Sequence, residues 1–303
     1  MSASRPNFAI VGAARSGSTS VAEALRQHPD AFICQPKEPH YYAFAGQDIH
    51  FTGPGDDASM NRVVVTRQVD FLALFDGSED RRARGDGSVS SLYYHDHAIT
   101  SIRAVNPDMK IVIIVRHPVE RAFSSYQYLR VRGLEPLDNF EDALAQEPDR
   151  RKANWHHLWH YTAMSRYATA VGHYVDAFGP EQVGIWFYDD LVTKPERCLA
   201  EVCRFLGLDP AQGAELSHVN VSGKPRSAGL QRLISWAGQH EPLRRGLKRV
   251  VPFGARERIR SANLKPNTLT EAHSSRLALG FREDYRRLEQ IIEKPLPEWA
   301  GIV

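Results

Sequence analysis

A chain of 303 residues, 42% apolar and 24% charged, can bury a sizeable core and is neither disordered nor fibrous by composition. A formal net charge of +2 excludes a global field that would draw in nucleic acid. Any anion must therefore be held by local placement of Arg and Lys.

From the N-terminus, a short polar lead passes directly into a strand. No basic segment followed by a long apolar one precedes it, and no apolar run nears twenty residues. A soluble cytoplasmic protein with no integral membrane segment is expected. Cys34, Cys198 and Cys203 lack CxxC spacing, which suits a reducing compartment and argues against a disulfide framework. The first strand is predicted from Asn7 to Val11 and the next helix from Ser18 to Gln27, stopped by His28-Pro29. A short strand from Ala31 to Cys34 leads into the polar "QPKEPHYY". The run "VVVTRQVDFLALF" reads as helix, and "RARGDGSVSS" as a short strand and loop. A helix around Ala98 to Val105 precedes "KIVIIV", Lys110 to Val115, whose unbroken apolar run marks a strand buried on both faces. "RHPVERAFSSYQYLR" opens a helix with Pro118 in its first turn. Further helices are predicted from Phe140 to Ala145 and from Trp159 to Phe178, a strand from Val183 to Tyr188, and an amphipathic helix over "PERCLAEVCRFL" with a glycine stop. Strands alternating with helices, and no linker-like shift in composition, imply an α/β fold with a mainly parallel central sheet flanked by helices, in a single domain over 1–303.

Between the first strand and helix lies "GAARSGST". Successive backbone N–H groups in such a loop form an anion nest, and the helix N-terminus adds its dipole. An ATP- or GTP-binding loop would read GxxxxGK[ST]. Here Ser18 stands at the lysine position and the cation, Arg15, lies inside the loop. The strand from Lys110 ends in Val115-Arg116, without the aspartate that would hold magnesium. Taken alone, the loop also reads as a plain strand-to-helix turn with a solvent-facing arginine. Arg116, leaving the C-terminal end of a buried strand, and Ser124, two helical turns further on, suit a second phosphate. Arg121 reads instead as a partner of a neighbouring carboxylate.

The loop, "VRHPVERAFSSY", "YDDLVTKPERCLAEVCRFLGL", "VNVSGKPRS" and the tail "REDYRRLEQIIEKPLPEW" together resemble the sulfotransferases that use 3′-phosphoadenosine 5′-phosphosulfate (PAPS). Most similar is the branch with heparan sulfate sulfotransferases and their bacterial relatives, and the resemblance spans most of the chain. It implies a P-loop-like phosphosulfate loop, PAPS as co-substrate, 3′-phosphoadenosine 5′-phosphate (PAP) as product, and no metal requirement. By that resemblance Arg15, Ser16, Gly17, Ser18 and Thr19 hold the 5′-phosphosulfate, Arg116 and Ser124 the 3′-phosphate, and Lys224 and Arg226 a late segment that closes on the cofactor. Glu38 in "PKEPHYY" matches the family's catalytic glutamate. His40 orients the acceptor or the glutamate, or is merely packed. A surface glutamate beside Lys37, and an exposed basic loop at Lys224 and Arg226, are the plainer readings. Two positions depart from the pattern: Arg15 where the heparan sulfate branch usually has lysine, and Gly87 where some glycan-acting members have lysine. The acceptor expected is a hydroxylated carbohydrate or small natural product, and oligomeric state is not legible.

His95-x-His97 and His156…His160, the latter one helical turn apart, lack a further ligand placed by spacing, so no metal site is expected there. Both pairs could line an acceptor pocket with Tyr93 or Trp155. The basic stretch 241–260 reads as a solvated lid or helix face before an anion-binding or membrane surface. Two rivals remain: a P-loop kinase or NTPase, disfavoured by Ser18 and the missing aspartate, and a nucleotide-binding protein without catalysis, disfavoured by Glu38.

Overall fold

Five strands, β1 (Phe8–Gly12), β2 (Ala31–Ile33), β3 (Ala83–Asp86), β4 (Lys110–Val115) and β5 (Val183–Phe187), form one parallel sheet in the order β2-β3-β1-β4-β5. The computed structural model describes residues 5–212, 224–225, 264–265, 269, 271–293 and 295–302. Strand side chains alternate between faces. Phe8, Ile10, Val112 and Ile114 therefore pack on one side, against Val21 and Leu25 of the helix Ser18–Gln27 and Val202 and Leu206 of the helix Pro195–Leu206. Ala9, Val11, Ile111, Ile113 and Val115 pack on the other, with Ile102, Tyr174, Leu288 and Trp299. Coverage of both faces explains the continuous apolar run of β4. Each fully buried Ile or Val there contributes about 1.5–3 kcal/mol.

The topology fixes where a ligand can sit. From β1 the chain crosses to β2 on one side of the sheet, whereas from β4 it crosses to β5 on the other. The crevice beyond the C-terminal ends of β1 and β4 is the switch point at which open α/β sheets bind ligands. Both arginine-bearing loops leave the sheet there.

Several elements differ from expectation. In place of one helix from Trp159 to Phe178 there are two short 3-10 turns, His157–Trp159 and Ala163–Ser165, and then a helix Ala168–Phe178. Side chains from elsewhere take the backbone groups a longer helix would use. The Glu147 carboxylate accepts from the Thr162 and Ala163 amides (2.7 and 3.0 Å), and Asp284 from those of Tyr167 and Ala168 (2.8 and 3.2 Å). The helix expected over "VVVTRQVDFLALF" is confined to Gln68–Ala73, because the amide of Val65 donates to Pro39 O and Thr66 O accepts from Gly46. The C-terminal helix Arg282–Ile292 packs against Ala168–Phe178, and Leu288, Trp299 and Ile302 join the core beneath the sheet.

Candidate active site

At the tip of β1 the backbone turns tightly over the helix Ser90–Tyr93. A side chain on Gly12 would lie 2.6 Å from Leu92 Cβ, so glycine is required by close approach. Gly17, with φ 91°, then sets the start of the helix Ser18–Gln27, whose first amides have no intrahelical partner. Arg15, Gly17, Ser18, Thr19 and Ser20 line a cavity together with Arg116, Ser124 and Tyr188. Ser16 Oγ is fully buried and, among the described residues, has no hydrogen-bond partner. Two guanidinium groups, a helix N-terminus and an unsatisfied hydroxyl fit a group carrying phosphate.

The arginines are held in place from behind. Arg15 Nε donates to Ser124 Oγ (3.3 Å), and its guanidinium stacks over Tyr128 at 4.5 Å. Burial pushes its pKa down to about 10, which leaves it charged at neutral pH. Arg116 stacks on Tyr188 at 4.3 Å, pairs with Glu120 (3.0 Å) and donates to Arg15 O (3.3 Å). The structure thus brings Arg15, Arg116 and Ser124 to one cavity. Arg121 is fully buried and turned away. Its Nε donates to Ser165 Oγ and its Nη2 to Tyr161 O, both at 2.6 Å, so its direct partners are a hydroxyl and a carbonyl where a carboxylate was expected.

Beyond β2 the segment 35–40 returns to the same edge of the sheet. Lys37 Nζ lies 2.7 Å from Glu38 Oε1 and 3.1 Å from Gly87 O. A side chain at Gly87 would meet Lys37 Cε at 2.8 Å, so Lys37 fills the space that a residue at 87 would otherwise take. The Glu38 side chain keeps 31% exposure, enough to meet an acceptor. Burial pushes the Glu38 carboxyl up, but Lys37, His40 and Arg15 outweigh it and hold the group below its ordinary range. His40, in the left-handed region at φ 57°, has its amide on Ser88 Oγ (2.9 Å) and Nδ1 against Ser90 Oγ (2.8 Å). Its Nε2 stands 3.8 Å from Glu38 Oε2. Burial lowers its pKa to about 4, against the opposing pull of Glu38, so the ring is neutral at physiological pH.

Ser88 Oγ in turn donates to Asp86 Oδ2, whose carboxyl burial raises from 3.8 to about 7 against the hydrogen bonds from Ser88 and the charge of Lys37. A raised native pKa means the folded state binds the proton more tightly. Asp86 therefore stabilises below its unfolded value, and that contribution is lost as pH climbs towards about 7. Asp86→Asn, which mimics the protonated acid, is expected to remove this loss. Denaturant unfolding at pH 5 and pH 8 should show the variant gaining on the parent at the higher pH; an unchanged difference refutes the assignment.

A second cavity of about 470 Å³ is lined by Tyr93, His95, His97, Arg151, Trp155 and His160, among others. His156 is buried to one side with Nδ1 on Asp56 Oδ1 (2.5 Å), whereas His160 Nδ1 meets the Tyr93 hydroxyl (2.9 Å). The two were expected one helical turn apart; they sit instead on either side of the turn His157–Trp159 and point to different partners. Of Lys224 only the backbone is described: Lys224–Pro225 pairs antiparallel with Leu264–Lys265. Arg226 and the basic stretch 241–260 lie outside the described residues.

The family model described as "Sulfotransferase family" matches residues 6–212. The chain belongs to the sulfotransferase family. A crystal structure of a sulfotransferase from Alicyclobacillus acidocaldarius is 31% identical, with a TM-score of 0.74 over 98% of this chain and 99% of that one. Human carbohydrate sulfotransferase 15 is 24% identical over 175 residues, 46% of this chain and 30% of the relative. Mouse heparan sulfate glucosamine 3-O-sulfotransferase 6 is 28% identical over 124 residues, 40% of this chain and 30% of the relative. The match thus spans under a third of these curated relatives.

Three residues of this sulfotransferase's candidate site escaped the sequence reading. Tyr128 lies four residues after Ser124 on one helix face, so an i, i+4 search from Ser124 finds it. Tyr188 opens the recognised "YDD" segment. The part played by Lys37, a bridge between Glu38 and the Gly87 carbonyl, depends on β2 and β3 lying side by side.

Proposed function

We propose that the chain transfers a sulfuryl group from PAPS to a hydroxyl of a carbohydrate or small-molecule acceptor, by in-line displacement. PAPS supplies a sulfuryl group already joined to a phosphate leaving group. Glu38 takes the proton of the acceptor hydroxyl as its oxygen bonds to sulfur. Arg15 and the loop amides meet the charge left on the phosphate oxygen when its bond to sulfur breaks. Arg116 and Ser124 hold the 3′-phosphate, and neutral His40 keeps Glu38 and the acceptor in register. The observation that carries the reading is the cavity at the switch point that Arg15 and Arg116 line together with Ser124 and the start of the helix Ser18–Gln27. We read 1–303 as one domain, because the C-terminal helix and Trp299 complete the core under the sheet. Among the described residues no helix is long and apolar enough to cross a membrane. With three buried, unpaired cysteines, a cytoplasmic setting is part of the proposal.

Thermal unfolding with PAP and with AMP tests the cofactor assignment. PAP at a hundredfold above its dissociation constant should add about 2.7 kcal/mol of stability. AMP at the same concentration should add far less, since it leaves Arg116 and Ser124 without the 3′-phosphate. Equal shifts remove the 3′-phosphate site.

A further inference from the structure

We infer that His95, Asp96 and His173 form a divalent metal site fitted to zinc, clipping two helices together beside the Tyr93 cavity. His95 and Asp96 open the helix His95–Val105, and His173 faces them from the middle of the helix Ala168–Phe178. Their ligand atoms form a nearly equilateral triangle. His95 Nδ1 lies 3.0 Å from Asp96 Oδ1, His173 Nδ1 lies 3.1 Å from the same oxygen, and the two ring nitrogens are 3.2 Å apart. Zinc bound tetrahedrally at about 2.0–2.1 Å separates its ligand atoms by about 3.3 Å. The observed edges, 3.0 to 3.2 Å, fall just short of that figure.

Hydrogen bonding satisfies this trio less well. If both rings carry their proton on Nδ1, both N–H groups donate to Asp96 Oδ1 and the two nitrogens are left crowded at 3.2 Å. If only one does, a single proton serves two acceptors. A cation accepts a lone pair from all three atoms at once. Two imidazoles and one carboxylate are a borderline nitrogen-rich set, which suits zinc, nickel or copper and not magnesium or calcium. Asp96 is 83% exposed and His173 45%, so an ion has a path in and a water can take the fourth position. His97 takes no part, since its Nε2 bonds Ala45 O.

The site is separate from the phosphate machinery, whose cavity none of the three residues lines. His95 does line both the cavity with Tyr93 and Trp155 and a neighbouring one of about 410 Å³ with Tyr167 and Asp284. Bound zinc would therefore fix the wall these cavities share by tying Ala168–Phe178 to His95–Val105. Its effect is on rigidity and stability, and the inference does not depend on the reaction proposed above.

The test uses untagged, chelator-stripped full-length protein. Calorimetric titration with zinc should give one site per chain, and zinc should raise the thermal midpoint. His173→Gln and Asp96→Asn change exposed side chains, and both should unfold like the parent without zinc. Each should weaken zinc binding by more than about tenfold and abolish the thermal shift. Absence of stoichiometric binding overturns the site. So does binding that survives in both variants, which would assign the ion to other histidines, or an equal response to magnesium.

Discussion

Glu38→Gln is expected to fold, to bind PAP as tightly as the parent, and to lose roughly 10²–10⁴-fold in turnover, the usual contribution of a positioned base. Glutamine keeps an oxygen for the Lys37 ammonium, which stands 2.7 Å from the carboxylate in the parent. It cannot take a proton from the acceptor. Folding survives because the side chain is partly exposed, and the His40 ring and amide are anchored on Ser90 and Ser88 independently of it. The pH profile gives a second readout. Lys37, His40 and Arg15 hold the Glu38 carboxyl below its ordinary range, so the base is already deprotonated at neutral pH. The acid limb of the rate therefore falls below the ordinary carboxylate region. Lys37→Met removes the nearest cation and should move that limb to higher pH. Turnover is to be measured at saturating PAPS, on an acceptor whose chemical step limits the rate. Near-parental turnover by Glu38→Gln under those conditions ends the case for this base, and an unmoved acid limb in Lys37→Met ends the account of what keeps it ionised.

The parts of this architecture visible in sequence are those set by local pattern. Lys110–Val115 is buried on both faces, and its β-branched run announces as much. The helix Ser18–Gln27 follows from a glycine that tolerates φ 91° and a proline that ends it. Gly207, at φ 76°, stops the helix Pro195–Leu206 as its position implies. The misread parts are those settled by contacts far apart in the chain. Nothing near Tyr167 indicates that Asp284 will accept its amide and start a helix at Ala168. Equally, nothing near Tyr161 shows that a buried Arg121 will claim its carbonyl. The same limit governs the site. Arg15, Arg116 and Ser124 stand out by motif, and the sheet order explains why they meet. Spacing weighs histidines along one element, whereas His95 finds its neighbour His173 on another.

Arg15→Ala should lower turnover roughly 10²–10³-fold, as loss of one donor to a developing oxyanion does, while weakening PAP much less. The asymmetry follows from what remains. On the proposed reading, the loop amides, Arg116 and Ser124 still line the cavity and would hold the product's phosphates, but the charge on the leaving oxygen would lose a cation. Backbone strain is not the cause of any loss, because Arg15 already sits at φ 68° with a Cβ, as alanine would. Arg15→Lys restores positive charge but not the planar fork that stacks over Tyr128 and donates to Ser124, so it should recover only part of the rate. Single-turnover rates at saturating PAPS, beside PAP affinity by calorimetry, separate the two effects. If Arg15→Ala loses PAP binding yet turns over at the parental rate once saturated, Arg15 is a ground-state clamp and the charge on the leaving phosphate must be met without it, by the loop amides.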